Sequence, residues 1–179
     1  MKAGLRIALG LMALLVLATA AVLVWSWAPD LPASELEQRW AQPPSTFIEV
    51  EGLRVHLRDE GPRDDPTPIV LIHGTSASLH TWDGWTDALR NDRRVIRFDL
   101  PGFGLTGPNA AQDYSMAVYV HFVLALLDQL GVQRFAMGGN SLGGEVAWAT
   151  AHAAPQRVDR LILVDAAGYA FESTSVPLA

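Results

Sequence analysis

The sequence predicts an α/β fold with a mostly parallel sheet and helices on both faces, preceded by one transmembrane helix. Three observations carry this expectation. From residue 47 onward, short apolar runs alternate with stretches of helical periodicity. A Gly-x-Ser-x-Gly pattern, Gly139 to Gly143, falls between one such run and one such stretch. Near the N-terminus, the 21 residues from Ile7 to Trp27 carry no charge.

The N-terminal run comes first in the chain. A helix of that length reaches about 31 Å, close to the ~30 Å hydrocarbon core of a bilayer. Lys2 and Arg6 precede it, and Trp25 and Trp27 close it, as the membrane–water interface favours. Residues 1–6 are expected in the cytosol and 7–27 in the membrane as a signal anchor. The rest is expected on the non-cytosolic side, periplasmic or extracellular. The rival expectation is a cleaved signal peptide, because Ala18-Thr19-Ala20 resembles a small-residue cleavage site. A buried core helix fits less well, since no polar stripe interrupts the apolar surface.

Composition narrows the function classes. Of 179 residues, 50% are hydrophobic and 18% charged, which describes a globular chain of one domain. The absence of cysteine excludes a disulfide framework, a thiolate nucleophile and cysteine-ligated metal sites. Without Lys2 and Arg6, 11 basic residues face 19 acidic ones. A nucleic-acid face is therefore not expected. No metal-ligand spacing, phosphate loop or dinucleotide fingerprint is present, so no cofactor is expected.

Residues 28–46 read as a juxtamembrane linker with a short helix at 35–41, begun by a Ser34/Glu37 capping box and stopped by Pro43-Pro44. Residues 47–179 form the expected catalytic domain. Phe47–Val50 and Leu53–Arg58 read as a hairpin about Glu51-Gly52. The second strand alternates Leu53, Val55 and Leu57 with Arg54, His56 and Arg58, which puts His56 on a polar face. Ile69–Ile72 is wholly apolar, as in a strand covered on both sides. Leu79, Trp82, Trp85 and Leu89 have helical spacing, and Val95–Leu100 is the next strand. Ser115 is placed to cap a helix whose apolar stripe runs from Tyr119 to Leu130 and which Gly131 closes. Arg134–Gly138, Leu142–Ala153 and Arg160–Asp165 follow as strand, helix and strand.

Context gives the Gly-x-Ser-x-Gly pattern its meaning. It follows an expected strand and opens an expected helix, the setting of a nucleophile elbow, where a strained turn holds the serine hydroxyl exposed. Gly139 and Gly143 let strand and helix approach closely. The helix N-terminus also aims positive partial charge at any oxyanion formed there. Ser141 is thus the expected nucleophile.

The chain resembles the α/β-hydrolase superfamily, in its serine-nucleophile branch with a His-Gly oxyanion motif. The matching pieces are IVLIHG (69–74), RFDLPGFG (97–104), GGNSLGG (138–144) and RLILVDAAG (160–168), together with the hairpin at 47–58. The resemblance implies acyl transfer: Ser141 attacks an ester-like carbonyl, and water releases the acyl-enzyme. It implies oxyanion donors at the backbone N–H groups of Leu142 and Thr75, with His73 and Gly74 as supporting residues. Asp165 ends its strand, and the resemblance allows it as the triad acid, although similar enzymes usually carry the acid one strand later. The other reading is a turn cap. Asp99 is expected to order the turn that follows it.

The family's triad order is serine, acid, histidine. The chain extends 38 residues past Ser141, and its five histidines, at 56, 73, 80, 121 and 152, all precede Asp165. The expectation is an N-terminal part of a longer hydrolase, truncated after the sixth strand, with a lid beginning near Phe171. His152 lies about 16 Å along the helix from Ser141. His73 reads as structural, His121 as solvated, and His80 as a candidate substrate contact. A second reading keeps the short chain as a membrane-tethered binding protein without catalysis.

Overall fold

The computed structural model describes residues 2–169, so the expected lid segment from Phe171 lies outside the described residues. The chain separates into two units, Met1–Pro32 and Ala33–Ala179.

The first unit is helix α1, Lys2–Trp25. It begins before the uncharged run, since lysine and arginine are good helix formers. It stops before Trp27, because Pro29 disfavours helical backbone at the residue it follows. Its described side chains are exposed, and residues 3–25 are long and apolar enough to cross a membrane.

The second unit opens with α2 (Ala33–Trp40). Ser34 lies inside its first turn and forms no capping box, while Glu37 pairs with Arg54 at 2.7 Å. Six strands follow: β1 (Thr46–Val50), β2 (Leu53–Glu60), β3 (Ile69–Ile72), β4 (Val95–Phe98), β5 (Phe135–Asn140) and β6 (Val158–Val164). They form one sheet in the order β1-β2-β4-β3-β5-β6. The β1–β2 and β2–β4 pairs are antiparallel; the β4–β3, β3–β5 and β5–β6 pairs are parallel. The mostly parallel α/β sheet predicted from sequence is the one observed.

Alternation along the strands loads both faces. Val70, Ile72, Ile96, Phe98 and Met137 pack against Phe122, Val123, Leu126, Val146 and Ala147 of helices α4 (Met116–Gln129) and α5 (Leu142–Ala153). Ile69, Leu71, Val95 and Ala136 face the other way, against Trp82. The segment expected as one helix from Leu79 to Leu89 is two elements, a 3-10 turn over Leu79–Trp82 and helix α3 over Asp83–Leu89. Ser115 precedes α4 as expected but makes no side-chain cap. Its own N–H donates to Asp113 Oδ1 at 2.9 Å. Gly131 closes α4 at φ 70°.

Strand β2 departs most from expectation. It lies inside the sheet between β1 and β4 and runs on to Glu60. His56, assigned to a polar face, is fully buried, as are Arg97 and Asp99 of the neighbouring strand and loop. The polar face is covered by ion pairs: Arg97 bonds Glu60 at 2.8 Å and also pairs with Asp83, and Arg58 reaches Asp83 at 3.4 Å. Buried charges persist there because each meets an opposite charge or a hydrogen bond.

Candidate active site

The C-terminal ends of β3, β4, β5 and β6 lie on one edge of the sheet, because these four strands run parallel. Ligand sites in open parallel sheets form outside that edge. Ser141 sits there between β5 and α5, at φ 51° and ψ −119°. Such backbone costs a non-glycine residue of order 1–3 kcal/mol and persists only where the surroundings hold it. Here the main chain is fixed on both sides. The Ser141 N–H donates to Val164 O at 3.2 Å, and its carbonyl accepts from Ala167 N at 3.0 Å and Glu145 N at 3.1 Å. Asn140 adds a side-chain bond to Val164 O at 3.1 Å.

Glycines make the turn possible. A Cβ on Gly139 would overlap the Gly143 carbonyl, and one on Gly143 would overlap the carbonyls of Ile72 and His73. A Cβ on Gly74 would stand 2.9 Å from Asn140 Oδ1 and 3.1 Å from Ser141 Cβ. The His73-Gly74 turn thus lies directly against the elbow. Thr75 follows it and is exposed. Leu142 is the first residue of α5, where backbone N–H groups have no helical acceptor. Among the described residues neither the Thr75 nor the Leu142 N–H meets an acceptor.

His73 is structural. Its Nδ1–H donates to Gly74 O at 2.8 Å and its Nε2 accepts from Leu100 N at 3.0 Å. Both ring nitrogens are committed to backbone, and the ring is neutral. Burial pushes its pKa below 6.5, a push that the Gly74 bond and the charge of Asp99 only partly offset. Phe103 meets the ring edge-on at 5.6 Å.

Asp99 orders its turn as expected, accepting from Leu79 N at 2.7 Å and Leu105 N at 2.8 Å. It also holds His56, whose Nδ1 lies 2.8 Å from Oδ2. Burial opposes its charge, but these three bonds outweigh burial and hold the carboxyl below its ordinary value. Sequence reasoning missed the His56–Asp99 pair.

His80 falls in the 3-10 turn. It bonds Asp83 at 3.3 Å and the Trp40 carbonyl at 3.1 Å. It lines a cavity of about 400 Å³ with Leu36, Trp40, His56, Asp99 and Leu105, whose walls do not include Ser141. Asp165 follows β6 at φ 45°, and its exposed carboxylate makes no hydrogen bond among the described residues. His121 is exposed and pairs with Glu51 at 2.9 Å. His152 is exposed in the last turn of α5. None of the five histidines stands free at the elbow. No group of three or more candidate metal ligands occurs among the described residues.

Comparison with known proteins bears on this geometry. The alpha/beta hydrolase fold family matches residues 67–178. The 2-hydroxymuconate semialdehyde hydrolase of Pseudomonas sp. (strain CF600) is 36% identical over 126 residues, 69% of this chain and 44% of that protein. The crystal structure of a membrane phospholipase A, a bacterial virulence factor, superposes with a TM-score of 0.69 at 30% identity, over 95% of this chain and 54% of that one. A meta-cleavage product hydrolase from Pseudomonas fluorescens IP01 gives a TM-score of 0.66 at 33% identity, over 71% and 47%. The chain spans about half the length of the relatives it matches.

Proposed function

The chain belongs to the α/β-hydrolase family, and from that premise we propose that it is the anchored part of a serine hydrolase that transfers acyl groups from ester-like substrates to water. The observation that carries this reading is the backbone of Ser141, at φ 51° and ψ −119° between β5 and α5. A strained serine at a strand-to-helix turn presents its hydroxyl at the catalytic edge. The N–H groups of Leu142 and Thr75, unpaired among the described residues, are the oxyanion donors in this reading, and being backbone they need no particular side chain. His73, with both ring nitrogens committed, fixes the oxyanion turn and takes no proton from Ser141.

The histidine that accepts that proton lies, in this reading, outside residues 2–169. His56, His73, His80 and His121 are each engaged elsewhere, and His152 is at the far end of α5. Asp165 stands at the catalytic edge, its carboxylate unpaired among the described residues, and is the acid this reading takes from them. The relatives' names point to two chemistries, hydrolysis of meta-cleavage products and of phospholipids. Helix α1 favours the ester, since residues 7–27 as a single-pass anchor would hold the domain beside a membrane surface on its non-cytosolic side.

The test is hydrolysis of p-nitrophenyl esters of short and long acyl chains by the full-length protein in detergent. Ser141→Ala should lower kcat by at least ~10³-fold while leaving the melting temperature nearly unchanged. Unchanged hydrolysis in that variant would assign the activity elsewhere. A folded wild-type protein inert toward every ester would favour the non-catalytic, membrane-tethered binding role.

A further inference from the structure

The residues around Asp99 form a second constellation that the elbow does not use. His56 Nδ1 lies 2.8 Å from Asp99 Oδ2, and His56 Nε2 lies 2.9 Å from Ser45 Oγ. A carboxylate only accepts, so the ring carries its proton on Nδ1 and presents the Nε2 lone pair to the Ser45 hydroxyl. Arg58 Nε donates to the same Oγ at 2.8 Å. The three residues are 11 and 43 positions apart along the chain, so only the fold assembles them.

The arrangement meets the geometric requirement for an activated nucleophile: hydroxyl to base, and base to an orienting group, each within hydrogen-bond reach. The base is well held. Phe47 stacks on its ring at 5.1 Å and 28°, and Asp99 is itself fixed by the Leu79 and Leu105 amides. The ring and the carboxylate are almost wholly buried, whereas Ser45 is only half-buried and precedes β1 at the surface of the sheet. The other charged or titratable groups near the ring are Arg58, His80, whose ring is 6.1 Å away, and Glu37 of α2, which feels the charge of His56.

We propose that Ser45 is a second reactive serine, activated by His56 and Asp99, which accepts an acyl group from an ester independently of Ser141. The Ser45 Oγ–C bond forms as the ester C–O bond breaks. His56 Nε2 takes the hydroxyl proton and returns it to the departing alcohol. The Arg58 guanidinium donates to Oγ itself, so its charge favours the alkoxide as the proton leaves. A cavity of about 400 Å³ is lined in part by His56 and Asp99, though not by Ser45.

A fluorophosphonate probe tests this, since its phosphorus takes the place of the carbonyl and fluoride is the leaving group. The full-length Ser141→Ala protein is treated in detergent, and adducts are located by peptide mass spectrometry. The expected result is an adduct on Ser45 forming at least ~100-fold faster than on exposed Ser76, the size of a general-base contribution. The adduct should vanish in Ser45→Ala/Ser141→Ala, whose melting temperature serves as the folding control. Labelling of Ser45 no faster than of Ser76 would overturn the proposal and leave the triad as a purely structural tie. Because the adduct is read peptide by peptide, a failure at Ser45 is distinct from a failure at Ser141.

Discussion

Gly74 shows how little space the elbow leaves at the residue scale. An added methyl group would stand 2.9 Å from Asn140 Oδ1, 3.1 Å from Ser141 Cβ and 3.2 Å from Asn140 O. Gly74→Ala should therefore shift Ser141 by a few tenths of an ångström to an ångström. A misplacement of that order costs up to ~10²-fold in rate with a modest loss of stability, measurable as kcat beside a urea midpoint. The buried groups set the response to pH. His73 has a folded-state pKa below 6.5, so its contribution to stability is complete above pH 6.5 and is lost as pH falls below it. Asp99, held below 3.8, contributes fully above that value and loses its contribution as pH falls further. The urea midpoint should decline in two stages, first below about pH 6.5 and again below about pH 4. A midpoint flat from pH 7 to 5 would contradict a neutral, buried His73. Residues of this kind were only partly legible in the sequence. The elbow is a local pattern, so Ser141, Gly139 and Gly143 could be read directly. The alternation of β2 says which side chains share a face with His56 but not what covers that face, so its burial against Asp99 was not readable.

At the scale of elements, α5 illustrates why the Gly-x-Ser-x-Gly spacing recurs between a strand and a helix. Gly143 lies where a Cβ would overlap the backbone of Ile72 and His73, so α5 packs on β3 at backbone distance. Gly143→Ala should destabilise the domain by about 3 kcal/mol, the upper end for overpacking, seen as a lowered denaturant midpoint. Asp99 ties three elements together, joining the loop after β4 to β2 through His56 and to the 3-10 turn through Leu79. Removing Asp99 leaves the His56 ring and the Leu79 and Leu105 amides without their acceptor, at about 1–3 kcal/mol for each buried group left unpaired, so Asp99→Ala should unfold at lower urea than wild type. Strands and helices themselves were legible from periodicity. Their ends were less so: β6 runs over Val158–Val164 where Arg160–Asp165 was expected, and β4 ends at Phe98 where Leu100 was expected. Sheet pairing rather than local propensity sets them: the β3–β4 register stops at Phe98, before Pro101-Gly102, and the β5–β6 register runs from Val158 to Val164.

At the scale of the whole molecule, the sequence separates a uniformly apolar helix from a domain with two loaded sheet faces. The strand order β1-β2-β4-β3-β5-β6 is a property of long-range pairing and was not legible in the sequence. Helix α1 is expected to keep the full-length protein in the membrane pellet through alkaline carbonate extraction, and removal of residues 1–27 should release the domain to the supernatant. The catalytic claim rests on Ser141, and the most direct test is to treat the full-length wild-type protein with a fluorophosphonate and locate the adduct. The account predicts a stoichiometric adduct on the peptide that contains Ser141, lost in Ser141→Ala. A folded protein whose Ser141 stays unmodified while an ester is hydrolysed would contradict it.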